Sequence, residues 1–269
     1  MEQEVGFNEE YQGLMLRYAA LREQSANQIE QYSQMVHVVG PNLKNAYMLE
    51  VGQFENQVFE LDIVVRRWKR RFALRQAALN QGEQPDLVAI EQQLDKEFEE
   101  FKKLLMQHIE EMKKASLWSQ AKSLTKEETV EIRSAYLAAV KKLHPDLNPN
   151  LSESAKELWH QIHEAYSAHD LGQLKFLCSL VESVSTGAKT FEKSVSGMET
   201  IKKAIAHLEA KCKELHDKME LLKTTVPFIY EDLLKDEAAL KEKQAELAAQ
   251  IENLKKTIAE YERMWNDGL

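Results

Sequence analysis

The sequence predicts an all-α protein. Charged residues make up 29% of its 269 residues, and the chain holds nine glycines and five prolines, a composition typical of long helices. Apolar residues recur every three or four positions over most of the chain, which is the spacing of one helix face. No segment shows the sustained Val/Ile/Thr alternation that would indicate a β-sheet.

The N-terminal part, residues 1–116, is predicted to form a helical bundle or a long helical arm. One helix runs from about residue 8 to residue 38, and we expect Gly40-Pro41-Asn42 to break it. A second helix runs from about residue 43 to residue 80. A third begins at Asp86, after a turn rich in glycine and proline, and leads toward the centre of the chain.

A basic cluster surrounds Trp68 on the second of these helices. Its members are Arg66, Arg67, Lys69, Arg70, Arg71 and Arg75. Such a cluster can bind an acidic partner or a nucleic-acid backbone. It can equally be a solvated helix face that pairs with the acidic run at 91–100, across the turn at 82–85. Antiparallel folding at that turn would bring the two runs together, so we favour the second interpretation.

The most informative motif is His144-Pro145-Asp146. Pro145 has no backbone N–H to donate, and it biases His144 away from helical geometry. A helix that runs up to Leu143 should therefore end here. The motif is then expected to present an imidazole and a carboxylate on an ordered corner.

Two capped amphipathic helices flank this corner. Thr125 and Glu128 have the spacing of a capping box, in which each side chain satisfies a backbone amide of the first helical turn, and Ser154 and Glu157 repeat that spacing. The apolar stripes of the two helices comprise Ile132, Tyr136, Ala139, Val140 and Leu143, and Leu158, Ile162, Ala165 and Tyr166. Two antiparallel helices joined by a tight corner would bury these stripes against each other.

The aromatic and histidine side chains of this region are interpreted mainly as structural. Tyr136, Trp159 and Tyr166 fall on or beside the apolar stripes, so we predict that they belong to the core. His160 and His163 lie close on the same helix, but no cysteine or carboxylate of fixed spacing completes a metal site. We therefore expect neither a metal nor a cofactor.

Three stretches form one pattern by their order and spacing around the corner: Ile132-Arg-Ser-Ala-Tyr136, the tripeptide at 144–146, and Gln161-Ile-His-Glu-Ala-Tyr166. In these stretches the chain resembles the J-domain of the DnaJ family, over about residues 117–182. The resemblance implies a helical hairpin with a partner-binding loop at its corner. We therefore expect a J-domain-like module at 117–182.

The resemblance also implies a co-chaperone function. DnaJ proteins dock on a DnaK-type heat-shock chaperone and stimulate its ATP hydrolysis, so the chain itself would not be an enzyme. By position, the tripeptide would contact the nucleotide-binding domain and linker region of that partner. Arg133, Lys141 and Lys142 would form a basic face that meets an acidic patch, a contact that salt should weaken.

The sequence departs from the family pattern at two places. Family members usually carry a Tyr-x-x-Leu-Gly-Val-like first helix, whereas this chain has residues 117–124, with Leu117 and Trp118 among the side chains available to pack. That first helix is either altered or the end of a longer upstream helix. Leu137 and Ala138 stand where the family often has Lys or Arg. These departures favour an alternative function, a structural or adaptor coiled-coil protein whose J-like hairpin no longer stimulates a chaperone. The intact tripeptide favours the co-chaperone function, which is the one we expect.

The C-terminal part follows a linker at 183–197 that is rich in small residues. Residues 198–269 contain two heptad seams separated by a break at Pro227. The seams are formed by Met198, Ile201, Ile205, Leu208, Cys212, Leu215, Met219 and Leu222, and by Leu233, Leu240, Leu247, Ile251, Leu254, Ile258, Tyr261 and Trp265. We predict an antiparallel coiled-coil hairpin, and a parallel homodimer of either helix is the competing arrangement.

Composition limits the remaining functions. The formal net charge of −9 argues against general binding to nucleic acid or anionic membranes. No apolar run approaches the roughly 20 residues that span a bilayer, and the N-terminus lacks a signal-peptide pattern. The only cysteines are Cys178 and Cys212, which favours a reduced, cytoplasmic location. Within the co-chaperone interpretation, the helical arms would choose a client or adaptor protein, or a location.

Overall fold

The computed structural model describes residues 2–120, 125–181 and 191–267. These ranges are helical and contain no strand, which confirms the all-α class. The α-helices are α1 (Glu2–Gln34), α2 (Gly40–Tyr47), α3 (Gln53–Asn80), α4 (Leu87–Glu97), α5 (Glu99–Gln120), α6 (Lys126–Leu143), α7 (Glu153–Ser167), α8 (Leu171–Ser179), α9 (Val195–Lys223), α10 (Glu231–Lys235) and α11 (Glu237–Asn266). Two π-helical segments, Met35–Val39 and Met48–Gly52, and a 3-10 turn, Phe228–Tyr230, complete the described elements.

The predicted break at Gly40-Pro41-Asn42 is wrong, because these residues open helix α2. The amide of Gly40 donates to the carbonyl of Met35, which is the wide hydrogen-bond spacing of a π-helix. Pro41 then falls in the first turn of α2, where the missing N–H of a proline is tolerated. Helix therefore continues through a sequence that normally stops it.

The predicted turn before Asp86 is confirmed. Gly82 adopts a positive φ of 76°, a conformation that glycine reaches without steric cost. The Asp86 carboxylate accepts hydrogen bonds from the amides of Val88 and Ala89, at 2.9 and 3.1 Å, and thereby caps α4. The predicted third helix is interrupted at Phe98, so it forms α4 and α5.

The chain divides into two compact units, and each combines N-terminal with C-terminal segments. Unit 1 comprises Met1–Pro41 and Lys122–Phe228, and unit 2 comprises Asn42–Ala121 and Ile229–Leu269. This division differs from the four consecutive segments expected from the sequence. It arises because the N-terminal helices cover the apolar seams of the C-terminal ones.

In unit 1, α9 runs parallel to α1. Lys202 of α9 pairs with Glu10 of α1 at 3.0 Å, and Glu209 pairs further along with Arg17. The seam of α9 is buried as its heptad pattern predicts, with Ile201 fully buried. The seam of α9 packs on α1, whereas α11 packs on a helix of unit 2. The predicted C-terminal hairpin is thus corrected: periodicity shows which face of a helix is covered, but not which helix covers it.

Helices α6, α7 and α8 complete unit 1 and form one core with α1 and α9. The αα-hairpin predicted around the corner is present as α6 and α7, and α8 packs against both. The shared core includes Tyr18, Ile29, Ile132, Tyr136, Leu143, Leu158, Ile162, Tyr166, Leu174, Ile201 and Leu208.

Unit 2 is built on α3, with α11 lying parallel beside it and α4 and α5 packing against it. Ring contacts join Phe72 to Tyr261 at 5.7 Å and Trp68 to Trp265 at 6.0 Å between centroids. A hydrogen bond joins Gln244 to the carbonyl of Glu50 at 2.8 Å. The seam of α11 is therefore covered by α3.

The basic cluster of α3 pairs with the acidic run of α4, as the favoured interpretation predicts. Arg67 contacts Glu91 at 2.8 Å and Asp95 at 2.7 Å, and Arg71 contacts Glu91 at 2.6 Å. Arg70 binds both carboxylate oxygens of Glu97, each at 2.8 Å. The cluster thus holds two helices of unit 2 together.

None of the helices within the described ranges combines the length and the hydropathy that a bilayer-spanning segment requires.

Candidate functional site

Helix α6 leads into the corner and begins with the predicted capping box. The hydroxyl of Thr125 accepts a hydrogen bond from the Glu128 amide at 3.1 Å, and the Glu128 carboxylate accepts one from the Thr125 amide at 2.8 Å. All five predicted stripe residues of α6 are buried. The box and the stripe together fix where α6 starts and which face it turns to the core.

The second predicted capping box, at Ser154 and Glu157, is wrong. Ser152 caps α7 instead, and its hydroxyl accepts a hydrogen bond from the Ala155 amide at 3.3 Å. Leu151 is buried immediately before it, so the chain leaves the core and enters the helix at Ser152. Both serines carry a hydroxyl suited to a cap, and the burial of the preceding residue decides between them.

The corner itself forms as the proline predicts. Helix α6 ends at Leu143, and His144 has extended geometry, with φ −67° and ψ 128°, while its amide still donates to the carbonyl of Val140. The amide of Asp146 donates to Nδ1 of His144 at 3.2 Å. That bond fixes the direction of the imidazole and, in the neutral ring, assigns the proton to Nε2.

The three residues of the tripeptide differ in exposure. Pro145 is exposed, whereas His144 and Asp146 are half-buried. The imidazole of His144 stands edge-on to Trp159, with 5.1 Å between ring centroids and 73° between planes. Burial lowers the pKa of His144 to about 4, Asp146 opposes the shift, and the charges of His163 and Lys211 add to it. At neutral pH the corner therefore presents an uncharged imidazole.

A buried asparagine holds the loop that follows. The side-chain amide of Asn148 donates to the carbonyls of Lys141 and His144, each at 3.2 Å. Its oxygen accepts from Arg22 of α1 at 3.0 Å, and Arg22 also donates to the Lys141 carbonyl at 3.1 Å. The bonds to the Lys141 carbonyl replace the one that α6 cannot make, because the residue four positions further on is Pro145, which has no N–H. The corner is thus an ordered feature that includes α1.

Two of the three predicted basic residues are engaged by α1. Arg133 binds Glu30 through two parallel hydrogen bonds, at 2.8 and 3.0 Å. Lys141 contacts Glu23 at 2.6 Å. Lys142 lies exposed in the last turn of α6. The structure therefore places Arg133 and Lys141 on one helix edge, and that edge faces α1.

The acidic member of the tripeptide also has a neighbour from another helix. The Asp146 carboxylate lies 3.6 Å from the ammonium of Lys211 on α9. Lys211 also donates a hydrogen bond to the Glu214 carboxylate at 3.0 Å, and this bond is the main reason that the pKa of Lys211 is raised. Asp146 is thus brought next to a cation that does not belong to the hairpin.

The residues that surround the predicted site were not predicted from the sequence: Arg22, Glu23 and Glu30 of α1, Asn148 of the loop, and Lys211 of α9. One signal was available, because Glu23 and Glu30 have nearly the spacing of Lys141 and Arg133 and opposite charge. It could be used only if α1 were known to lie beside α6, and periodicity does not supply that neighbour.

The aromatic residues occupy the core as predicted. The rings of Tyr136 and Tyr166 are buried and stack at 3.9 Å between centroids, and Trp159 is partly buried against them. The Tyr136 hydroxyl lies 2.9 Å from Nδ1 of His163. Within the described ranges, no three histidine, cysteine or carboxylate side chains gather in a way that could hold a metal ion.

Residues 117–120 are the end of the longer helix α5, as one of the two alternatives for the predicted first helix expects. Leu117 and Trp118 lie near the end of α5 in unit 2, where both are exposed and Trp118 donates to Asn42 at 3.1 Å. The remainder of that predicted first helix, residues 121–124, lies outside the described residues. Helix α1 packs across α6 in unit 1. Leu137 is partly buried against the core, so an apolar residue at that position has a packing role.

No protein-family model matches the chain, and neither a curated protein nor a solved structure matches it significantly. What the corner can do follows from its chemistry. It combines an exposed proline ring, a half-buried neutral imidazole and a carboxylate beside Lys211, all on a hydrogen-bonded turn. These groups suit recognition of another protein.

Proposed function

We propose that the chain is a co-chaperone of the DnaJ type. Its corner, His144-Pro145-Asp146, would bind a DnaK-type heat-shock chaperone and stimulate ATP hydrolysis by that partner. The observation that carries the proposal is the ordered corner: α6 ends at Leu143, Pro145 is exposed, and the Asp146 amide holds the His144 ring in place. An ordered loop loses little conformational freedom when it binds, which favours affinity.

The chemical step belongs to the partner in this proposal. A co-chaperone changes the rate of its partner by binding one conformational state better than another. The hairpin needs only a surface that fits the hydrolysis-competent state, which the corner and the neighbouring face of α6 would supply. The basic residues Arg133, Lys141 and Lys142 would steer the encounter, and their effect should decrease with salt.

The long helices outside the hairpin would choose the client or the location. Unit 2 has its own core, formed around Tyr47, Val51 and Leu247, so it can carry a separate binding function. We place the activity in the cytoplasm, where the free thiols of Cys178 and Cys212 would stay reduced.

An adaptor function is the second candidate, and one observation favours it. Arg133 and Lys141 are both paired with carboxylates of α1, so the face that would meet a chaperone is in use within the chain. In an adaptor the hairpin would serve only to anchor α1 and α9. The two candidates differ in whether the corner binds a chaperone.

Direct binding distinguishes them. The DnaK-type chaperone of the source organism would be immobilised in its ATP-bound state and titrated with wild-type chain and with His144→Gln. The matched control is His160→Gln, which changes an exposed histidine of α7. Binding that weakens at least tenfold in His144→Gln, and not in the control, supports the co-chaperone. Absence of wild-type binding, or equal binding by all three chains, supports the adaptor.

A further inference from the structure

Helices α1 and α6 meet with matched charges. Glu23 of α1 faces Lys141 of α6, and Glu30 faces Arg133. The order of these pairs shows that the two helices run antiparallel. The carboxylates lie about two helical turns apart on α1, so one edge of that helix presents both of them to the basic edge of α6.

The Glu30 contact has the geometry of a built site. Its side chain is 5% exposed, and each carboxylate oxygen accepts one hydrogen bond from the Arg133 guanidinium. Parallel bonds of this kind are among the stronger and more directional interactions in proteins. They use the Nε and Nη2 donors of Arg133. A carboxylate of another protein that bound Arg133 in the same way would have to displace Glu30.

Helices α1 and α9 also contact the corner and its loop. Lys211 of α9 lies 3.6 Å from the Asp146 carboxylate. Arg22 of α1 binds the loop through Asn148 and the Lys141 carbonyl. Helices α1 and α9 therefore contact the acidic residue of the tripeptide, two of the basic residues and the loop that supports them.

We propose that the α1–α9 pair occupies the chaperone-binding face of its own chain and competes with the partner for it. This inference rests on the proposed co-chaperone function. The carboxylates of Glu23 and Glu30 take the place of an acidic patch on the partner, and Lys211 takes the place of a cation that would meet Asp146. The partner binds fully only when these contacts open.

The competition has a quantitative consequence. When only a fraction of the chain has an open face, the apparent dissociation constant rises by the inverse of that fraction. Weakening the internal contacts enlarges the fraction and tightens apparent binding. An exposed ion pair contributes up to about 1 kcal/mol, which corresponds to a change of about two- to five-fold for each pair removed.

The test uses variants that weaken α1 and α9 without changing the predicted chaperone contacts. Glu23→Gln removes the partner of Lys141, and Lys211→Met removes the partner of Asp146. The measurement is the chain concentration that half-maximally stimulates ATP hydrolysis by the DnaK-type chaperone. Each variant should lower it about two- to five-fold, and the double variant by about the product of the two effects.

Matched controls weaken the same helices elsewhere. Glu10→Gln removes the α1–α9 pair with Lys202. Lys218→Met removes a partner of Glu214 that lies 2.7 Å from it, as Lys211→Met also does, without touching Asp146. Neither control should change the half-maximal concentration. Equal decreases in controls and test variants would indicate general loosening and would overturn the proposal.

Hydrogen exchange provides a second readout. Adding the ATP-bound partner to wild-type chain should raise amide exchange at residues 23–30 of α1. Self-occupation is overturned if amide exchange at residues 23–30 stays unchanged when the partner binds. It is also overturned if both test variants stimulate at the same half-maximal concentration as wild type. Either result leaves the co-chaperone function standing. Failure of the wild type and the double variant to stimulate or bind overturns the co-chaperone function, and self-occupation with it.

Discussion

Arg133 and Glu30 join two helices that lie far apart in the sequence. The guanidinium binds one carboxylate oxygen at 2.8 Å and the other at 3.0 Å. Glu30 is almost completely enclosed, with 5% of its side chain exposed, whereas Arg133 remains 43% exposed. The pair therefore connects the hairpin to α1 at the edge of the core, with Glu30 buried and Arg133 partly exposed to solvent.

Removing the carboxylate should destabilise unit 1. Glu30→Gln removes the negative charge that pairs with Arg133. The buried amide that replaces the carboxylate has one acceptor oxygen instead of two. The expected loss is about 1–3 kcal/mol, below the range for a fully buried pair because Arg133 is partly solvated. The measurement is amide exchange of α6 as a function of urea. The matched control, Glu23→Gln, removes a more exposed pair and should cost less than about 1 kcal/mol. Equal losses of unfolding free energy in the two variants would contradict the prediction that the buried pair contributes more than the exposed one.

The capping box of α6 gives a second prediction. Thr125→Ala removes the hydroxyl that accepts from the Glu128 amide, and we expect a loss of about 1 kcal/mol in unfolding free energy. Thr200→Ala is the control, because its hydroxyl donates to a carbonyl within α9 and caps no amide. Thermal unfolding followed by circular dichroism compares the two. A control that loses as much as Thr125→Ala would show that the cap is not responsible.

The pH dependence of stability gives a third prediction. Folding lowers the pKa of His144 from 6.5 to about 4. Between pH 6.5 and pH 4, His144 is therefore protonated in the unfolded chain and neutral in the folded chain. The stabilisation is therefore complete above about pH 6.5 and is lost as the pH falls toward 4. Burial lowers the pKa of His37, His163 and His169 as well, so several groups contribute in the same direction.

His144→Gln isolates one part of this effect. The variant should lose less stability than wild type between pH 6.5 and pH 4 when urea midpoints are compared. His207→Gln, at an exposed position of α9, controls for the loss of a histidine. A nuclear magnetic resonance titration of His144 itself provides a direct check. A midpoint near 6.5 in the folded chain would contradict this account of the buried imidazole.

The pairing of the C-terminal helices gives a fourth prediction. Ile201→Ala empties a fully buried position of α9 and should cost about 2–4 kcal/mol. Because α9 packs on α1, amide exchange should increase in α1. Leu247→Ala in α11 is the reciprocal variant and should increase exchange in α3. Increased exchange in α11 when Ile201 is changed would instead support the C-terminal hairpin.

Local features of this chain are predictable from sequence because neighbouring residues determine them. The capping box at Thr125, the end of α6 before Pro145 and the buried stripe around Tyr136 each depend on interactions within a few residues. The ion pairs between α3 and α4 are predictable for the same reason, since a short turn joins the two helices.

Other features depend on which distant helix supplies a neighbour. The seam at Ile201 identifies a buried face, but α1 and α11 would cover it equally well by periodicity. The contacts of Glu23 and Glu30 with α6 require that same long-range choice. Pro41 lies within helix because the π-helical segment before it changes the hydrogen-bond spacing, a backbone feature with no clear sequence pattern.

Single-turnover ATP hydrolysis shows directly whether the corner stimulates a chaperone. A DnaK-type chaperone from the source organism, preloaded with ATP, would be mixed with wild-type chain or with His144→Gln, after circular dichroism shows that both are equally helical. A co-chaperone that acts through His144 should give faster hydrolysis with wild type and the unstimulated rate with the variant. Equal rates with either chain and without any chain, from a chaperone that is demonstrably active, would contradict it.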